Sequence, residues 1–141
     1  MKIYNIYIFD RKGSCLFYRE WERERPAGSL SRNEEHKLMF GMLLSLQSFA
    51  AKLSPVEGAQ SLRCYDTSKY RLNFLGTPTG LKFVLNTQPQ ANDALNLLQT
   101  IYSQIYVPFV VKNPVYKPGV EITNDLFISA LDALIEKASS R

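Results

Sequence analysis

An α+β domain, a single mostly antiparallel sheet with helices on its faces in the order ββαβββαα, is predicted by three features of this 141-residue chain. Two pairs of strand-like segments are each joined by a tight-turn sequence. Long stretches with apolar residues at helical spacing stand between and after them. No internal repeat breaks the order, and the length suits about one domain, at roughly 150 residues each, spanning 1–141.

The first pair is Ile3–Phe9 and Ser14–Trp21, joined by Asp10-Arg11-Lys12-Gly13. Asp caps its own turn, and Gly accepts the positive φ at the turn exit. Arg23–Leu30, with Pro26 and Gly28, reads as a loop. Ser31 and Glu34 have capping-box spacing and open a long helix that Ser54-Pro55 closes. Strands follow at Ser61–Tyr65, Tyr70–Leu75 and Leu81–Thr87, the last two joined by Thr77-Pro78-Thr79-Gly80, where Pro presets φ and Gly ends the turn. Asn92 or Asp93 caps the next helix, which carries Leu95, Leu98, Ile101, Tyr102, Ile105 and Phe109 and which Pro108 should kink or end. Thr123 or Asn124 caps a final helix with Phe127, Leu131 and Leu134 on one face.

Composition is that of a folded globular protein, 45% hydrophobic and 21% charged. The net charge of +4 is spread thinly along the chain, and in Arg19-Glu20-Trp21-Glu22-Arg23-Glu24-Arg25 the signs alternate, as on a solvated strand end. Nucleic-acid binding, which needs a stripe of one sign, is not expected. Cys15 and Cys64 cannot build a disulfide framework and read as buried thiols of a cytosolic protein. The N-terminus reads as a strand rather than a signal peptide. No apolar run approaches the roughly 18 residues of a spanning helix, so membrane association is expected only through a partner.

Catalysis has little to work with. His36 is the one histidine and reads as an exposed helix residue. His/Cys metal ligands are too few, and the glycines are scattered rather than gathered in a phosphate-cradling loop. Glu34, Glu35, Asp125 and Asp132 are accounted for by helix-start dipoles and solvation. Hence no enzyme, no cofactor and no metal are expected. The aromatics Tyr4, Tyr7, Phe17, Tyr18 and Trp21 read as core and cross-strand pairs.

The long helix is the anomaly. At 100° per residue Leu38, Met42, Leu46, Phe49 and Leu53 form one stripe, taken as core-facing, while Phe40, Leu43, Leu44, Gln47 and Ala51 fall on the opposite side. A surface helix normally has a polar back, so a helix apolar on both sides is covered on both. Gly41 suits close approach of another backbone. The second stripe therefore reads as a partner interface, the alternative being cover by the chain's own Glu22–Leu30. On this reading Leu43→Asp leaves the monomer folded and abolishes partner binding.

Four pieces in order, Asn5-Ile6-Tyr7-Ile8-Phe9-Asp10-Arg11-Lys12-Gly13-Ser14-Cys15-Leu16 with Glu20-Trp21, Lys37-Leu38-Met39-Phe40-Gly41-Met42-Leu43, Thr67-Ser68-Lys69-Tyr70-Arg71-Leu72 through Thr77-Pro78-Thr79-Gly80-Leu81-Lys82, and Ile101-Tyr102-Ser103 with Val110-Val111-Lys112-Asn113-Pro114, carry a resemblance. Together they closely resemble the subunit-one family of the TRAPP (transport protein particle) tethering complex, small sedlin-like chains. The resemblance implies a longin-like (SNARE-like) fold, with a five-stranded antiparallel sheet, one helix on one face and two on the other. It also implies a non-catalytic core subunit, partnered by other TRAPP subunits and, through the assembled complex, by a Rab-type GTPase whose nucleotide exchange the complex promotes. The implied location is cytoplasmic, peripherally on Golgi and ER-to-Golgi membranes. The runner-up is the small subunit of a clathrin-type adaptor, which has the same fold.

Overall fold

A computed structural model describes residues 1–22, 32–53 and 64–139. Five strands form one antiparallel sheet: β1 (Ile3–Phe9), β2 (Cys15–Glu20), β3 (Cys64–Asp66), β4 (Arg71–Gly76) and β5 (Lys82–Thr87), in the spatial order β2-β1-β5-β4-β3. Helix α1 (Arg32–Leu53) covers one face. Helix α2 (Ala94–Thr100), its π-helical continuation Ile101–Val111, and α3 (Asp125–Ser139) cover the other. Element order and layers agree with the predicted α+β architecture. Ser31, Ser54-Pro55, the loop 23–30 and the start of the predicted third strand lie outside the described residues.

Both hairpins follow from their turn chemistry. Asp10 Oδ1 accepts from the backbone N–H groups of Lys12 and Ser14, both at 2.9 Å, and Gly13 takes φ +93°. A Cβ at Gly13 would lie 2.7 Å from a Phe40 ring carbon, so Gly13→Ala adds a contact with α1 to a strained φ. We expect it to lower the urea midpoint by a loss of about 1–3 kcal/mol. In the second hairpin the Gly80 N–H donates to Thr77 O at 3.0 Å. Between β3 and β4 the Thr67 hydroxyl oxygen accepts from the Tyr70 N–H at 3.0 Å, and Arg71 forms a two-pronged pair with Asp66 at 2.6 and 2.7 Å. That pairing with Arg71 holds the Asp66 carboxyl below the usual carboxylate range. The resembling Thr67–Leu72 motif is thus a turn that caps itself.

The core has two sides. Ile6, Ile8, Phe83 and Leu85 pack against Leu98, Ile101, Phe127 and Leu131, with Phe17 and Phe127 edge to face at 5.0 Å. On the α1 side lie Tyr7, Phe9, Leu72, Phe74 and Val84, and Tyr7 stands opposite Tyr18 in the sheet with ring centroids 4.8 Å apart. The strand aromatics pack within the fold, as expected of core and cross-strand pairs.

Of the two outcomes expected at Pro108, a kinked helix or an ended one, the helix is not ended but runs on with altered winding. A proline ring clashes with the carbonyl four residues back, and the backbone here winds more widely, as a π-helix from Ile101 to Val111. The Lys112 N–H accordingly reaches Val107 O, five residues back. The wider turns also shift the buried face. It runs through Leu98, Ile101 and Ile105 as the period predicts, then passes to Tyr106 and Val110 instead of Tyr102 and Phe109. In α3, Ile135 takes the buried place predicted for Leu134, and Asn124 caps the helix by accepting from the Leu126 N–H at 2.9 Å.

Asp132 has a role that solvation does not describe. It receives Arg19 Nε at 3.0 Å, Arg19 Nη2 at 2.6 Å and the Trp21 indole N–H at 2.8 Å, pinning α3 to the end of β2. Burial alone raises its pKa, but the Arg19 and Trp21 hydrogen bonds and the Arg19 charge together bring it below the ordinary carboxylate value. A depressed folded-state pKa stabilises above the unfolded value, about 3.9, and loses that contribution as pH falls through the folded value. Asp132→Asn is therefore expected to cost about 1–2 kcal/mol at neutral pH and to flatten the acid limb of stability below about pH 4, read by urea titrations at a series of pH values.

Candidate partner interface

The face that α1 turns to the sheet is set by shape and ring contacts. Leu43 is 0% exposed among Tyr7, Phe9, Leu72, Phe74 and Val84. Phe40 is half-buried, 5.3 Å from the Phe9 ring, with Lys82 Nζ 5.7 Å above its centroid. His36, expected to be exposed, is half-buried between Tyr7 at 5.5 Å and Tyr18 at 5.0 Å. The inner row therefore runs through His36, Phe40 and Leu43, with Met39 and Met42 on its flanks.

This corrects the predicted faces in part: Met42, assigned to the core, does pack against it, and Leu44, assigned outward, is exposed. Leu43 and Phe40 belong to the core side, and Leu38, assigned to the core, is 60% exposed. The physical reason is that both stripes are apolar, so periodicity fixes their spacing and not which one meets the sheet. Of the predicted interface residues, Leu44 stands on the outer face at 43% exposure, and Gln47 is half-buried. Ala51 lies within the helix, and its side chain falls outside the described ones.

What remains outward is unusual in composition. The 14 residues Leu38–Ala51 contain no charged residue. Along them Leu38, Gly41, Leu44, Ser45 and Ser48 are exposed, and a shallow groove of about 410 Å³ runs along Leu44, Ser45, Ser48 and Lys52. Among the described residues, nothing beyond the adjoining backbone of α1 itself lies within 4 Å of where a Gly41 Cβ would be. A helix facing water would carry charges on this side; two leucines with Gly41 between them and Ser45 and Ser48 after them suit another protein surface. Leu38 was missed because a residue beginning an apolar stripe was assigned wholly to the core. Its spacing of three from Gly41 and six from Leu44 was the available signal.

Cys15 is half-buried, and burial pushes its thiol up to about 11, so it is protonated at neutral pH. Cys64, expected to be buried, is exposed on β3 because that strand is an edge with no layer above it among the described residues. Burial raises the Tyr106 phenol to about 12. Among the described residues no group of His, Cys, Asp and Glu converges as metal ligands would, and no helix is long and apolar enough to cross a membrane.

Residues 3–138 match the model of the Sybindin-like family. The Rattus norvegicus protein named trafficking protein particle complex subunit 1 is 44% identical over 135 residues, covering 96% of this chain and 92% of its own. Its Dictyostelium discoideum namesake is 39% identical over 140 residues, covering 98% and 97%. The Saccharomyces cerevisiae trafficking protein particle complex subunit BET5 is 35% identical over 153 residues, covering 96% of each. Among solved structures, an MglB with a tetrameric arrangement aligns at a TM-score of 0.49 and 15% identity, over 96% of this chain and 79% of that one. The family model takes in α1 and both hairpins, and with the 44% identical relative covered to 92% it shows that this chain belongs to the Sybindin-like family.

Proposed function

We propose that the chain, as a single longin-like domain of residues 1–141, is a non-catalytic core subunit of a TRAPP-type vesicle-tethering complex. Its partners are other subunits of that complex, and its outer α1 face, centred on Leu38, Gly41 and Leu44, is where one of them docks. Through the assembled complex it contributes to guanine-nucleotide exchange on a Rab-type GTPase in ER-to-Golgi and Golgi traffic, from a cytoplasmic position peripheral to those membranes. It needs no cofactor.

The observation that carries this reading is the run Leu38–Ala51 of α1, which holds no charged residue and exposes Leu38 and Leu44, in a chain that matches, over 96% of its length, relatives named as particle subunits. Removing Leu38 and Leu44 from water is worth about 1.5–3 kcal/mol each at full burial, enough to matter after the costs of association. The test is affinity purification of the tagged chain from a cytosolic extract, with size-exclusion chromatography and identification of co-eluting chains. Recovery in a large particle with TRAPP-like subunits and exchange activity is expected, while the isolated chain leaves nucleotide release unchanged. A lone monomer, recovery with large adaptor chains, or exchange by the isolated chain would sink the reading.

A further inference from the structure

The positive charge that is thin along the chain is gathered in space. β1 and β2 turn at the same end of the sheet as β4 and β5, since Phe9 pairs with both Cys15 and Lys82, and Arg11 Nη2 donates to Thr79 O at 3.4 Å between the two turns. The π-helical segment ends here as well, and the stretch 112–122 crosses to β2, where the Ile122 N–H donates to Leu16 O at 2.8 Å. Arg11, Lys12, Lys112 and Lys117 are all exposed at this end. Asp10 and Glu121 are the acids beside them, and the Asp10 carboxylate is already engaged by two backbone N–H groups of its turn.

Apolar groups stand among these cations without cover. Val111 is 59% exposed, Val115 83% and Val120 53%. A groove of about 670 Å³ brings Arg11 and Lys12 together with Val111 and Pro118. A second, of about 360 Å³, adjoins it through Val110 and Tyr116 and brings Lys117 together with Val115 and Val120. The stretch Val111–Val120 holds two lysines, two prolines and no acid. Tyr116 braces it from within, its hydroxyl donating to Val120 O at 2.7 Å, so the valines are held outward.

We propose that this end of the sheet is a lipid-facing surface, which takes the anionic headgroups of a phospholipid bilayer on Arg11, Lys12, Lys112 and Lys117 and seats Val111, Val115 and Val120 in the headgroup–acyl boundary. Charge complementarity favours a bilayer over a protein partner. The cations are interleaved with short aliphatic side chains on projecting turns, which suits a broad, fluid anionic plane. A protein hot spot would be an aromatic or Arg anchor seated in a pocket. Membrane contact then does not depend on a partner, contrary to the expectation from sequence. It also stands apart from the α1 face, so either surface can fail without the other.

The experiment is flotation of the purified full chain with vesicles of phosphatidylcholine alone or phosphatidylcholine with phosphatidylserine. Binding to the anionic vesicles only is expected at about 0.1 M salt, and loss of it at about 1 M. Lys112→Ala and Lys117→Ala should each weaken it about fivefold. Val115→Asp should weaken it further, with circular dichroism unchanged, because all three side chains are exposed. Absence of binding, equal binding to both vesicles, or binding indifferent to these substitutions overturns the proposal. So does loss of a co-purifying protein with vesicle binding intact, which would assign the patch to a protein partner.

Discussion

Leu43→Asp unfolds the protein or leaves it at the edge of unfolding. Leu43 is fully buried between α1 and the sheet, and a carboxylate there would lose its hydration among the apolar groups of Tyr7, Phe9 and Phe74. Truncation to Ala alone costs about 2–5 kcal/mol, so the charged variant is expected to remove most of a total stability of about 5–15 kcal/mol. Urea denaturation of Leu43→Ala, and the yield and circular dichroism of Leu43→Asp, check this. Native stability in Leu43→Asp would mean that the faces of α1 are as the sequence alone suggested.

Leu38→Asp with Leu44→Asp has the opposite signature. Both side chains are exposed, so the urea midpoint should move by no more than about 0.5 kcal/mol. Recovery of partner subunits should fall about a hundredfold, the loss of roughly two leucines' burial at the docking face. Size-exclusion chromatography of the tagged variant reads it directly. A fall in stability without loss of partners would place these leucines under the chain's own loop.

Local chemistry was legible in the sequence, and long-range choices were not. The hairpins could be read because Asp10, Gly13, Thr77 and Gly80 act within four or five residues, and the α3 cap because Asn124 acts on the next turn. The phase of α1 could not, because Phe40 and Leu43 are no more apolar than Leu38 and Leu46 on the other stripe; only packing against Phe9 separates them. The Asp132 clamp joins residues 113 positions apart, and no spacing rule links them. At Pro108 a disturbance of the helix was legible, but not its form, since the sequence does not say whether the ring clash is met by a kink, a stop or, as here, a wider winding. Of the candidate interface, a second apolar side was legible; among its described residues Leu44 is exposed as read, whereas Phe40 and Leu43 face the sheet.

The two margins of the sheet are not equivalent. Along β2 the Ile122 N–H occupies Leu16 O, whereas β3 has no strand beyond it among the described residues. A strand added beside β2 would have to displace that contact, whereas one added beside β3 would not, so strand pairing is favoured at one margin and favours a closed pair of sheets over an open-ended fibre.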